Sequence, residues 1–270
     1  MKIGVCYRPH IHNQFLDLLV KNVNFLEIMP EITDIKDMKH IKELSGLNNI
    51  DLGLHCLRTS IFSPEGPQED MLDKYFYVSE FLNSKYFSDY IAYSYIDNVY
   101  LTAVQQIEYN DRSLEIFQNN LPTIAEYFPE NFLIENITQT ELTNDQYTES
   151  EFIDKVIQST NVSLMLDITN MYITCKRNNK DFKQYVESYP FDKVKVMHVS
   201  GLTIDERGVY QDTHFNNLDD EILEAVKYVK PFLTNLEYVL VERDFNVNSA
   251  EDILNDVNAL KDIFASSIFK

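Results

Sequence analysis

The sequence predicts an α/β fold, a (β/α)8 TIM-type barrel that runs as a single domain through residues 1–270. Three observations predict it. Short apolar runs recur eight times, and several are nearly continuous in apolar character, as parallel strands covered on both faces are. Segments with helical spacing or helix caps lie between them. No repeat, low-complexity tract or linker divides the chain, and with only 6 Gly it has neither a Gly-rich phosphate loop nor a flexible hinge.

The elements follow in order. IGVCYR (3–8), FLEIM (25–29), IDLGLHCL (50–57) and YFSDYIAYS (86–94) are rich in Val, Ile, Leu and aromatics and read as the first four strands. Residues 105–128 carry apolar side chains at mostly helical spacing and lead into the fifth strand, FLIENI (132–137). Thr148-Glu149-Ser150-Glu151 is a capping box that opens the helix FIDKVIQST, before the sixth strand SLMLDIT (163–169). KVKVMHVS (193–200) is the seventh strand, and the segment 218–233 after it begins acidic and becomes amphipathic. YVLVERD (238–244) is the eighth, and residues 250–268 close the chain as a helix with Ile253, Val257, Leu260 and Phe264 on one stripe.

Composition narrows the function. Acidic residues outnumber basic ones 43 to 23, a formal net charge of -20. A chain this acidic is repelled by a phosphate backbone, which argues against a nucleic-acid partner. Cys6, Cys56 and Cys175 are far apart and odd in number, so neither a disulfide framework nor a cysteine-based zinc site is expected. Cys6 and Cys175 read as packing residues. Cys56 lies beside His55, but neighbours on a strand point to opposite faces, against a Cys–His nucleophile. No apolar run approaches a membrane span, and no targeting segment precedes the first strand, so a cytoplasmic protein without a membrane partner is expected.

The chemistry gathers at the strand ends. His55, Glu135, Asp167 followed by Asn170, His198 and Glu242 each come directly after an apolar run, on five different strands. In a (β/α)8 barrel the C-terminal strand ends surround one pocket. Asp212 and His214 fall in the loop after the His198 strand and can bend over the same mouth. Each residue has a plainer reading: a hydrogen-bonded structural His55, a Glu242–Arg243 pair, Asp167 as a helix N-cap, Asp212 and His214 as loop surface. Jointly they are harder to dismiss, because an unpaired carboxylate at the end of an apolar strand is costly. Imidazole with carboxylate and no thiolate suits iron, manganese or zinc. The donors exceed what one tetrahedral ion needs, and close carboxylates repel unless cations lie between them, so two or three metals are expected.

The ordered series IGVCYRPH, FLEIMPE, LGLHCL, FSDYIAYS, FLIENIT, TESEFI, LMLDITNMYI, VMHVSGL, QDTH and LVERDFN resembles the multinuclear non-heme iron-dependent oxidases, a family that includes the iron oxidase of methanobactin biosynthesis. The resemblance runs from about residue 3 to 246 and implies a barrel like that of xylose isomerase. It implies two or three irons of mixed Fe(II)/Fe(III) state, O2 as co-substrate, and oxidation of residues, commonly cysteine, in a ribosomally made precursor peptide. A separate leader-recognition protein is a further implied partner. Carried over, His55 and Glu135 serve the first iron, and Glu135, Asp167, His198 and Glu242 the second. Asp167, Asn170, Asp212 and His214 lie at a third, more weakly held position. Glu135, Asp167 and His198 are the implied catalytic centre. Two departures stand out. The family's Ser-Asp-His is here Ser88-Asp89-Tyr90, which leaves Tyr90, Asp89 or water for the first iron. Leu202 stands where a second His often follows the seventh strand's His-x-x-Gly. The alternatives are a redox-neutral metalloenzyme of sugar-isomerase or phosphodiesterase type, and a binding or scaffold member that has lost the chemistry.

Overall fold

The computed structural model, described for residues 1–142, 144–160 and 162–265, closes the eight expected strands into a parallel barrel. These are β1 (Lys2–Cys6), β2 (Phe25–Ile28), β3 (Asp51–His55), β4 (Phe87–Tyr90), β5 (Phe132–Glu135), β6 (Ser163–Asp167), β7 (Val194–Val199) and β8 (Tyr238–Val241). They pair in sequence order around the ring, and β8 returns to β1. The outer ring includes α1 (Ile35–Asn48), α2 (Glu69–Leu82), α3 (Asp111–Tyr127), α4 (Glu149–Gln158), α5 (Ile168–Arg177), α6 (Asp220–Val229) and α7 (Ala250–Ala265).

Strand alternation sorts the side chains into two cores. Outward residues such as Val5, Leu26, Leu54, Phe87, Ile134, Leu166, Val199 and Val241 share one buried cluster with helix residues Ile41, Leu72, Phe117, Phe152, Ile173, Ile222 and Ile253. Inward residues Cys6, Phe25, Tyr86, Leu133, Met165, Val196 and Leu240 form a second cluster that plugs the barrel. Phe25 stacks on Tyr86 at 5.5 Å and meets Tyr238 at 4.3 Å between ring centroids. Gly53 makes room for this stack: a Cβ there would lie 2.5 Å from the Tyr86 ring. The parity that fills the plug continues upward on several strands, from Gly53 to His55, Leu133 to Glu135, Met165 to Asp167, Val196 to His198 and Leu240 to Glu242.

The observed strands stop short of the expected ones, because their last residues turn out of the ladder at the mouth. The clearest difference is 86–94. β4 ends at Tyr90, and Ala92–Ile96 instead pairs antiparallel with Val99–Gln106 in a separate hairpin. Gln105 and Gln106 therefore end a strand, and the helix expected over 105–128 begins at Asp111, capped by Asn110, whose side chain accepts the Ser113 N–H. The segment 218–233 forms α6 and then a 3-10 turn over Lys230–Phe232. The Thr148 capping box is present with both reciprocal bonds. On α7, Ile253, Val257 and Leu260 are buried and Phe264 packs against the core; the expected continuation over 266–268 lies outside the described residues.

Candidate metal centre

Six expected donor residues, His55, Glu135, Asp167, Asn170, His198 and Glu242, are buried at the C-terminal end of the barrel. Asp212 and His214 reach the same mouth from the loop after β7, where a cavity of about 330 Å³ is lined by Tyr90, Glu135, Asp167, Asn170, Asp212, His214 and Glu242. Three overlapping groups of potential ligand atoms form there: His55 with Glu135 and His198; Glu135 with Asp167, His198 and Glu242; and His214 with Glu242 and Asp244.

The distances are short. His55 Nε2 is 3.1 Å from Glu135 Oε2, and His198 Nδ1 is 2.9 Å from Glu135 Oε1 and 3.4 Å from Glu242 Oε2. His214 Nε2 is 2.8 Å from Asp212 Oδ1. Each imidazole also has its other nitrogen tied. His55 Nδ1 meets Ser88 Oγ at 2.9 Å, and Ser88 donates its own proton to the Leu54 carbonyl, so His55 Nδ1–H is the donor. His214 Nδ1 lies 3.0 Å from Asp244 Oδ2, and His198 Nε2 lies 3.0–3.1 Å from the Glu27 carboxylate. Metal-binding histidines are held in this way, with the free lone pair aimed at the ion.

Asp167 meets the plainer of its sequence readings, the helix N-cap, with one of its two oxygens. Its Oδ1 caps α5 by accepting the Asn170 N–H at 2.7 Å. Asn136 pins its backbone in both directions, with 2.9 Å bonds to the Asp167 N–H and carbonyl. Its Oδ2 is buried with no partner. Burial, then Asp212, Glu135 and Glu242, push the Asp167 carboxyl well above the usual range. Burial works against the charge on His198 and His214, yet the surrounding acidic groups raise both well above an ordinary imidazole. Protons thus hold the metal-free carboxylates together. A buried unpaired carboxylate oxygen among N and O donors with fixed lone pairs is what a divalent or trivalent cation would satisfy, and the set fits iron, manganese or zinc.

Several expectations need correction. Glu242 does not pair with Arg243; it takes Arg8, whose Nη2 is 2.5 Å from Oε1, while Arg243 turns to Asp256 at 3.6 Å. Asp89 is on the outward face of β4, where its Oδ2 accepts the Ile61 N–H at 3.1 Å, so it does not reach the mouth. Tyr90 does reach it, with its hydroxyl 2.6 Å from His55 Nε2. Asn170 Oδ1 accepts the Thr138 hydroxyl at 2.5 Å, and His214 lies beside Glu242 and Asp244 as well as Asp212. Cys6 is not simple packing: its Sγ lies 3.7 Å from His198 Nε2 inside the barrel. Glu27, Arg8 and Asp244 were not anticipated. Strand parity holds the signal, since Arg8 is two residues beyond Cys6, Asp244 two beyond Glu242, and Glu27 a lone charge inside the apolar run FLEIM.

The fold and this mouth define a class: a barrel of the xylose-isomerase type with a cluster of imidazole and carboxylate donors at its C-terminal face. A xylose isomerase domain containing protein from Salmonella typhimurium has this fold at a TM-score of 0.66 and 10% identity, covering 97% of each chain. The IOLI protein, solved with a binding zinc atom, aligns at a TM-score of 0.62 and 15% identity over 98% of this chain and 97% of that one. Within that class the chain belongs to the family described as RiPP precursor modification enzyme MbnB/TglH/ChrH, whose model matches residues 2–265. Similar sequences include UPF0276 proteins of Acinetobacter baylyi, 22% identical over 96% of this chain and 90% of that relative, and of Vibrio parahaemolyticus, 24% identical over 93% and 88%.

Proposed function

We propose that the protein is a multinuclear non-heme iron oxidase that uses O2 to modify residues, cysteine first, of a ribosomally synthesised precursor peptide. The observation that carries this reading is the overlap of the ligand groups. Glu135, His198 and Glu242 each belong to two of the three groups at the mouth, an arrangement suited to adjacent ions sharing carboxylates rather than to one isolated ion. Membership of a family that modifies precursor peptides supplies the substrate class.

Bound iron would supply Lewis acidity and redox capacity; the remaining work falls to the chain. His55, Glu135, Asp167, His198, His214 and Glu242 would hold the ions, with Asp212 and Asn170 at the outer rim. Tyr90 would lie beside the His55 position as a ligand or as a hydrogen-bond donor. Arg8 bridges Glu242 and Asp244, with 2.5 Å contacts to each, and so fixes two carboxylates that would otherwise repel. The wall of the mouth is uncharged: Leu57, Thr102, Ala103, Val104, Ile137 and Thr138 line it above the acidic floor. That wall suits a neutral peptide segment.

The test is co-expression with the short cysteine-containing reading frame that neighbours the gene, followed by mass measurement of the peptide and metal analysis of the protein. Two or three irons per chain and an O2-dependent mass change are expected. An iron-loaded protein that leaves the peptide mass unchanged in air would overturn the proposal. Turnover under nitrogen by a zinc or manganese form would replace it with redox-neutral chemistry.

A further inference from the structure

We propose that Glu27, on β2, is a positioning residue that dictates which nitrogen of His198 faces the candidate centre. The inference rests on the metal-centre reading but concerns a residue below it, inside the barrel. Glu27 is 1% exposed, and its two carboxylate oxygens lie 3.0 and 3.1 Å from His198 Nε2. An ionised carboxylate can only accept, so the contact requires a proton on Nε2. The lone pair of the neutral ring is then on Nδ1, the atom 2.9 Å from Glu135 Oε1 and 3.4 Å from Glu242 Oε2. With the ring reversed in its protonation, Nε2 would present a lone pair to a buried carboxylate and Nδ1 a proton to the ion.

Glu27 is itself held in place. The Tyr86 hydroxyl donates to its Oε2 at 2.5 Å. The Tyr86 ring is stacked on Phe25 and fits against Gly53. A chain of contacts therefore links the aromatic plug of the barrel to one imidazole of the mouth. Cys6 Sγ also approaches Nε2, at 3.7 Å, and the three residues could in principle enclose an ion. One feature favours the hydrogen bond: Glu27 Oε2 is already engaged by the Tyr86 hydroxyl.

The experiment uses the full chain and the metal alone as probe, Zn(II) for spectroscopy and Fe(II) for comparison. Long-range 1H–15N spectra of the zinc-loaded protein are expected to show His198 protonated on Nε2. Glu27→Leu is expected to weaken zinc and iron binding by about 10–100-fold, the usual effect of removing such a partner, and to mix the His198 tautomers. Glu27→Gln, which keeps an acceptor oxygen, is expected to restore most of the affinity. Cys6→Ala is expected to leave the number of bound ions unchanged. Wild-type affinity and tautomer in Glu27→Leu would overturn the proposal, as would loss of one ion in Cys6→Ala, which would place a metal inside the barrel. Should Glu27→Leu not fold, Tyr86→Phe decides: several-fold weaker binding supports the role, and unchanged binding overturns it. A wild-type chain that takes up neither ion would instead sink the metal-centre reading.

Discussion

The two oxygens of Asp167 meet different demands, since Oδ1 caps α5 while Oδ2 lies buried and unpaired among other acids. Asparagine keeps the cap and removes the charge. Asp167→Asn should therefore melt no lower than wild type in chelator, yet lose metal binding; Asp167→Ala should lose both, with about 1 kcal/mol of stability from the cap. Equal melting of the two variants in chelator would contradict this division. A second acid tests burial away from the mouth. Glu149 is 4% exposed, accepts the Tyr185 hydroxyl, and is pushed by burial up to about 7. A raised acid binds its proton more tightly in the folded state, so its contribution is complete below about pH 4.5 and is lost as pH rises through about 7. Glu149→Gln should match wild type near pH 4.5 and exceed it by about 3 kcal/mol above pH 8. Parallel denaturation curves at both pH values would refute it. Most of the mouth was legible in the sequence because an acid or imidazole after an apolar run is conspicuous. Arg8, Glu27 and Asp244 were not, because their partners are distant in sequence: Arg8 and Asp244 are joined by a 2.5 Å contact across 236 positions.

At the scale of elements, all eight strands were legible because parallel strands buried on both faces have no polar alternation to confuse them with amphipathic helices. The hairpin over the mouth was not, since IAYS continues the apolar character of β4 without a break. A local signal does exist. Asp97 and Asn98 form a two-residue turn with φ of 53° and 60°, the left-handed pair that a tight hairpin requires and that Asp and Asn tolerate best after Gly. The hairpin supplies Thr102, Ala103 and Val104 to the wall of the cavity, so its stability bears on the site. Asn98→Ala should cost about 1 kcal/mol locally, because alanine is strained at positive φ. Amide exchange over residues 92–106 should then quicken while the barrel strands keep their protection. Uniform exchange across the chain would mean that the hairpin and barrel open together.

For the whole molecule, the decisive balance is between a formal charge of -20 and the convergence of buried acids at one end of the barrel. In the metal-free state, protons held on His55, His198 and His214 offset part of that negative charge, each raised by nearby carboxylates against the effect of burial. A group raised in the folded state contributes stability that is complete below its unfolded value, near 6.5 for histidine, and lost as pH climbs through the folded one. The metal-free protein should accordingly weaken as pH rises from 6 to 9. A metal replaces those protons, so the loaded protein should escape this loss, and loading should release protons. At a free metal concentration 100 times the dissociation constant, binding adds about 2.7 kcal/mol, or about 5–10 °C in melting temperature for a chain of this size. The gap between loaded and chelated protein should thus widen with pH, as melting curves at pH 6 and pH 8.5 with matched free metal would show. A constant gap would mean that the imidazoles do not exchange protons for metal, and a gap of zero that the donors at the mouth hold no ion.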